Sequence, residues 1–375
     1  MNSNMNNQNH WYTIQNIDKV DTPAFVVFKE RIIHNIEALL KTVKGPEWVR
    51  PHVKTHKMAE VTLLMMKAGI WKFKCSTIAE AEMLGSVGAR DVLLAFQPVG
   101  PKIHRLLRLA QLYPDTRYSC ILDNEASAAA ISQVFEAAGR KIDGYLDLNV
   151  GMNRTGIKPG IEAFGLYNFC KSLPGLNPVG LHVYDGHLRD TDEEVRKKKS
   201  DLCLKPVLAL SKGIEAAGNS KPVIIAGGSP TFGIHAQRKE VECSPGTFVF
   251  WDWGYGSLFP ELPFVPAALV LTRMISRVDE ETICLDLGHK SIASENPFPR
   301  VHFLNAPEAV QVSQSEEHLV LKVALQHSYS VGDLFYGIPH HVCPTCALYE
   351  KALVVEEGQI TDSWKVVARD RSLSV

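Results

Sequence analysis

The stretch KFKCSTIAEAEMLGSVGARDVLLAF, residues 72–96, decides the fold. Its first residues, KFKCS (72–76), form a short β-rich run, and DVLLAF (91–96) forms another. Between them, IAEAEMLGSVG carries apolar residues at helical spacing. A strand, a helix and a second strand in this order imply a parallel pair, because a parallel crossover needs a dozen or more residues.

The same texture extends in both directions. VRPHV (49–53), RYSCIL (117–122), GYLDLNV (144–150), PVGLHVY (178–184), PVIIAG (222–227) and EVEC (240–243) bring the strand-like runs to eight, with segments such as NEASAAAISQVFEAAGR between them. Eight such units predict an α/β fold, a (β/α)8 barrel. TPAFVVF (22–28) is left over at the front, followed by the helical KERIIHNIEALLKTV, and is expected to pair elsewhere. Beyond FPELPF (259–264) the texture changes to AALVLTRMISRV, ETICLDLG and LVLKVAL, with hairpin-like spacing and no long helical pattern. That predicts a C-terminal β domain. The expected organisation is an N-terminal tail over 1–21, the odd strand at 22–28, the barrel over 29–257 and the β domain over 258–375.

Composition narrows the function classes. Hydrophobic residues at 45% and charged residues at 22% suit a globular chain of 375 residues, long enough for two domains. Forty basic against 41 acidic side chains leave a net charge of -1, so no global field draws the chain to nucleic acid or to a membrane. MNSNMNNQNH (1–10) lacks the basic start and apolar core of a signal peptide, and no apolar run approaches the roughly 18 residues that span a bilayer. Eight cysteines in mostly apolar contexts read as reduced core residues, which together predict a cytoplasmic protein. The charged run DTDEEVRKKKSD (190–201) reads as a solvated helix face.

In a (β/α)8 barrel the functional residues follow the strands at their C-terminal ends. RPHVKTHKM (50–58) follows the first strand, and Lys54 stands there among cationic neighbours, a placement suited to an amine that forms a Schiff base with a carbonyl cofactor. In IIAGGSPTF (224–232), Gly227, Gly228 and Ser229 offer backbone N–H groups and a hydroxyl suited to a phosphate. DLNVGMNRTGI (147–157) sets Arg154 in a glycine-flanked loop, to hold an anion or a ring nitrogen, or to serve the loop's own structure. CPTC (343–346) has no second CxxC to complete a zinc ribbon and no oxidoreductase context.

Taken together, RPHVKTHK, GMNRTGI, YDGH (184–187), AGGSPTF, ECSPGTFVFWD (242–252) and HVC (341–343) resemble the D-threonine aldolase and D-serine dehydratase family of fold-type III, alanine racemase-like pyridoxal-phosphate enzymes. The resemblance covers nearly the whole chain. It implies a barrel with a C-terminal β domain to which the first strand, 22–28, also contributes. It implies pyridoxal 5'-phosphate on Lys54, with Arg154 and Tyr184 lining the ring and Gly227, Gly228 and Ser229 at the phosphate. A divalent metal, zinc or manganese, would be held by His341 and Cys343, and His187 or metal-bound hydroxide is the implied base.

The reaction the resemblance implies is cleavage of a D-β-hydroxy amino acid, D-threonine giving glycine and acetaldehyde. The alternative is dehydration of D-serine or D-threonine to a 2-oxo acid and ammonia, toward which Cys343 leans, since aldolases of the family often carry aspartate there. A racemase or a non-catalytic pyridoxal-phosphate carrier fits less well, because neither needs the HVC pair. A head-to-tail homodimer, in which one subunit's β domain covers the other's barrel, is also implied.

Overall fold

The computed structural model describes residues 10–375, so most of the Asn-rich start lies outside the described residues. The chain divides into two compact units. One comprises residues up to His34, Phe250–Gly254 and Val265–Val366, and the other Asn35–Val249, Tyr255–Phe264 and Val367–Val375.

The second unit is built on seven parallel strands in sequential order: β2 (Lys72–Cys75), β3 (Asp91–Leu94), β4 (Arg117–Leu122), β5 (Ile142–Leu148), β6 (Leu176–Val183), β7 (Val223–Ala226) and β8 (Val241–Cys243). Each of the first six is followed by an α-helix before the next strand, the alternation that parallel sheets require. Inside the ring, Leu93, Ile121, Tyr145 and Ile225 pack as one buried cluster from four strands. Below it, Arg50 is 1% exposed and donates to Asp91 at 2.5 Å and to Glu242 at 3.2 Å, while Lys72 pairs with Glu242. Two cations and two carboxylates cancel, which makes these buried charges tolerable.

The sequence places an eighth strand at 49–53, and here the structure differs. This segment makes only isolated parallel bridges, Val49 to Cys243 on β8 and His52 to Lys74 on β2. Arg50 donates its N–H to the Cys243 carbonyl at 2.8 Å, and Lys74 donates to the Pro51 carbonyl at 2.8 Å. The segment therefore closes the ring between β8 and β2 without becoming a strand. Pro51 has no N–H for the ladder, and the chain turns at once into a 3₁₀ helix, Val53–Thr55, capped by the His52 side chain. The run 190–201 opens the helix Glu193–Ala216, whose Asp192 cap accepts from the Val195 N–H at 3.0 Å.

The other unit contains β1 (Ala24–Phe28), which pairs antiparallel with β9 (Ala268–Arg277) and parallel with β15 (Lys351–Glu356). Strands β10 (Thr282–Leu285), β11 (Val301–Phe303), β12 (Val310–Gln314), β13 (Leu319–Lys322), β14 (Leu334–Pro339) and β16 (Gln359–Lys365) complete a nine-stranded, mostly antiparallel sheet. Alternate side chains of its central strands, Val26, Phe28, Leu269, Leu271 and Val355 among them, form its core. The architecture is thus a (β/α)8-type barrel unit and a mostly antiparallel β unit, as the sequence predicts. Among the described residues no helix is long and apolar enough to cross a membrane, and the eight cysteines form no disulfide.

Candidate active site

A cavity of about 590 Å³ opens within the barrel unit at the C-terminal ends of its strands. Its size is that of an ordinary small-molecule site. The 3₁₀ turn after the closing segment puts Lys54 on its wall, because His52 Nδ1 accepts the Lys54 N–H at 3.2 Å and holds the turn. Burial first, then the positive charge of Lys54, hold the His52 ring well below its ordinary pKa, so it stays neutral and free to accept.

Tyr184, one residue past β6, gathers two cations. The Arg154 guanidinium lies 4.9 Å from its ring centroid and the Lys54 ammonium 5.9 Å, both within cation–π range. Gly228 and Ser229 line the cavity after β7, and the Ser229 hydroxyl accepts from the Thr247 N–H at 3.2 Å, tying the turn to the one after β8. Lys54, Arg154, Tyr184, Gly228 and Ser229 are therefore brought to one cavity.

Two predicted residues are not. Gly227 donates its N–H to the Val183 carbonyl at 2.9 Å, a continuation of the β6–β7 ladder, and so has none to offer a ligand. Its role is conformational: φ is +81°, and a Cβ there would stand 2.6 Å from His235 Cδ2. That histidine is locked in turn by the buried Asp185, at 2.8 Å from Nε2, and Asp185 also accepts from Thr231 Oγ1 at 2.8 Å. His187 lies off the cavity, against Gly151 and 4.0 Å from Cys203 Sγ, because the YDGH loop turns away after Tyr184.

The cavity floor contains groups the motif reading did not select. Lys74 on β2 is 3% exposed and faces inward, and burial first, then the charge of Lys54, lower its pKa to about 7 against the raising influence of Asp147. His182 on β6 donates from Nδ1 to Asp147 Oδ1 on β5 at 2.7 Å. Asp147 Oδ2 accepts from Thr155 Oγ1 at 2.7 Å. His182 Nε2 is buried with no hydrogen-bond partner among the described residues. The period of two in KFKC, which separates Lys72 and Lys74 from Phe73 and Cys75, was the available signal.

In the β unit, His341 precedes the short helix Val342–Leu348. Its Nδ1 lies 2.5 Å from Glu295 Oε1, and its ring is hydrogen-bonded with the Cys343 side chain. The Val342 N–H donates to the buried Asp252 carboxylate at 3.1 Å. Burial would lower the imidazole's pKa, but Cys343 first, then Glu295, raise it to about 9. An imidazole nitrogen and a thiol in contact, beside two carboxylates, are a donor set that a divalent ion of zinc type accepts once the protons leave. Among the described residues no group of three or more His, Cys, Asp or Glu side chains is arranged around a common metal position. Two protein donors would therefore leave most coordination positions open.

Residues 27–252 match the family model for the alanine racemase N-terminal domain, and residues 267–355 match that for a putative serine dehydratase domain. A D-threonine aldolase of Arthrobacter sp. is 26% identical, covering 94% of this chain and 93% of its own. A D-threo-3-hydroxyaspartate dehydratase of Delftia sp. is also 26% identical, covering 92% of this chain and 97% of its own. The crystal structure of D-threonine aldolase from Filomicrobium marinum superposes with a TM-score of 0.84 at 26% identity, covering 93% of this chain and 95% of that one.

Proposed function

The chain belongs to the alanine racemase N-terminal domain family, and from that premise we propose that it is a pyridoxal-phosphate-dependent lyase cleaving D-β-hydroxy amino acids. The observation that carries the reading is the convergence of Lys54, Arg154 and Tyr184 on one strand-end cavity. Lys54 would be the attachment residue, Tyr184 and Arg154 would line the cofactor ring, and Gly228 and Ser229 would hold its phosphate. Gly227 shapes that turn.

Bound pyridoxal phosphate supplies an electron sink for the bond that breaks at Cα. A divalent ion, zinc or manganese, held by His341 and Cys343 would supply a Lewis acid for the β-hydroxyl. The chain's own part is to present the Lys54 amine at the cavity wall, to keep two neutral histidines, His52 and His182, at the floor, and to fix the guanidinium of Arg154 against Tyr184. His187 of the YDGH loop is the base in this reading, although it packs off the cavity against Gly151.

The test is product identity. D-Threonine with added zinc or manganese should give glycine and acetaldehyde. Formation of 2-oxobutanoate and ammonia instead would establish the second reading, a D-serine or D-threonine dehydratase, which Cys343 beside His341 favours. The reading also includes a homodimer, which a fully active monomer of 41.6 kDa in sedimentation would refute, and a cytoplasmic setting, supported by cysteines that form no disulfide.

A further inference from the structure

Apart from the cavity lysines, most buried and half-buried cations of the barrel unit have carboxylate partners. Arg50 has Asp91 and Glu242, Lys57 has Glu80, Lys72 has Glu242 and Arg196 has Glu261. Lys74 is different: it is 3% exposed, lines the cavity that also contains Lys54, and has no hydrogen bond or ion pair from Nζ to another described residue. Asp147, whose charge acts on Lys74, spends its oxygens on His182 and Thr155. An amine placed in a ligand cavity with nothing to neutralise it is a poor structural element, since a buried unpaired charge opposes folding.

We propose that Lys74 is a second carbonyl-reactive amine of this cavity, a covalent site for aldehydes. The inference deepens the lyase reading, because the cleavage proposed above releases an aldehyde inside the same cavity. The nitrogen lone pair attacks the carbonyl carbon, a C–N bond forms as the C=O bond breaks, and the oxygen leaves as water with the two amine hydrogens. No oxidant or reductant is consumed, and the addition reverses on hydrolysis. Burial and Lys54 lower the pKa of Lys74 to about 7, with Arg50 acting in the same sense and Asp147 and Asp185 opposing. His52 and His182, two further titratable neighbours, are themselves held neutral, and Asp123, Arg154, Tyr184 and Tyr255 line the same cavity. A large share of Lys74 is therefore free base at neutral pH, where an ordinary lysine is free base to roughly one part in a few thousand.

The geometry also separates Lys74 from Lys57, the other lysine of the RPHVKTHK motif. Lys57 is ion-paired with the buried Glu80 and does not line the cavity.

The experiment uses the full chain loaded with pyridoxal phosphate, treated near neutral pH with acetaldehyde and cyanoborohydride, then digested and mapped by mass. Lys74 should carry the reduced ethyl group at least about tenfold faster than exposed lysines, in line with its larger free-base fraction. In parallel, Lys54→Ala protein given pyridoxal phosphate and borohydride should carry the reduced cofactor on Lys74, and the Lys54→Ala/Lys74→Gln protein should carry none. A Lys74→Arg protein, which keeps the charge but forms no imine, should lose the ethyl label while retaining the wild-type circular dichroism. The proposal is overturned if wild-type protein traps the cofactor on Lys54 while Lys74 stays unlabelled in both arms, or if the label in Lys54→Ala goes to Lys57. Failure of wild-type protein to trap cofactor on any lysine would instead overturn the lyase reading, and the acetaldehyde arm would still decide the proposal for Lys74.

Discussion

The His182 ring donates from Nδ1 to Asp147 Oδ1 at 2.7 Å, across adjacent strands β5 and β6, and so fixes its tautomer with Nε2 bare toward the cavity. Removing the carboxylate charge by Asp147→Asn should destabilise the protein by about 1–3 kcal/mol, the usual loss when one partner of a buried hydrogen-bonded pair is spoiled. The pH dependence separates the two groups. Burial lowers the folded pKa of His182, so its contribution is present above about pH 6.5, the unfolded value, and is lost as pH falls below it. Burial raises the Asp147 pKa, but His182, Thr155 and Arg154 together outweigh it and the net shift is downward. Its contribution is present above about pH 3.9 and is lost as pH falls through the lower folded value. Urea midpoints taken across this range should show two acid losses in the wild type, and Asp147→Asn should lack the lower one.

Lys74→Met should make the protein more stable, by roughly 1–4 kcal/mol, as replacement of buried charge by an apolar side chain of similar size often does. The sign follows from the lowered pKa. The wild-type penalty is full below about pH 7, the folded value, and shrinks as pH rises toward about 10.4, the unfolded one. The stability difference between variant and wild type should therefore narrow from neutral to alkaline pH in denaturant titrations. A Lys74→Met protein that is less stable at neutral pH would mean that the amine has a partner in solution.

Gly227→Ala tests the turn after β7. At φ +81° a side chain costs about 1–2 kcal/mol from the backbone alone, and the new methyl would push His235 away from Asp185. Both the melting temperature and the affinity for pyridoxal phosphate should fall, the second measured by equilibrium dialysis. Unchanged affinity with lowered stability would place the cofactor's phosphate away from this turn.

Chelation, His341→Ala and Cys343→Ala should each remove turnover by roughly two orders of magnitude or more, the scale of several kcal/mol that a Lewis acid contributes. The visible absorbance of the bound cofactor should remain, because Lys54 and its neighbours are untouched. Activity that survives chelation would exclude a metal role in either reaction.

What the sequence by itself determined was local and periodic. Alternating strand and helix patterns between 72 and 243 specified the parallel barrel, because a parallel crossover of that length leaves few alternatives. Lys54, Arg154 and Tyr184 were legible because chemistry-bearing residues follow strand ends. Tertiary structure alone decided the rest. Whether 49–53 is a strand depended on ladder partners on β8 and β2, which Pro51 limits. That Gly227 serves conformation, and that His187 turns off the cavity while His182 faces it, followed from where the chain bends after β6 and β7. Lys74 looked like any strand lysine in KFKC, since its burial and its lack of a carboxylate come from residues far away in sequence, and only the closed ring brings Lys54, Asp147 and His182 around it.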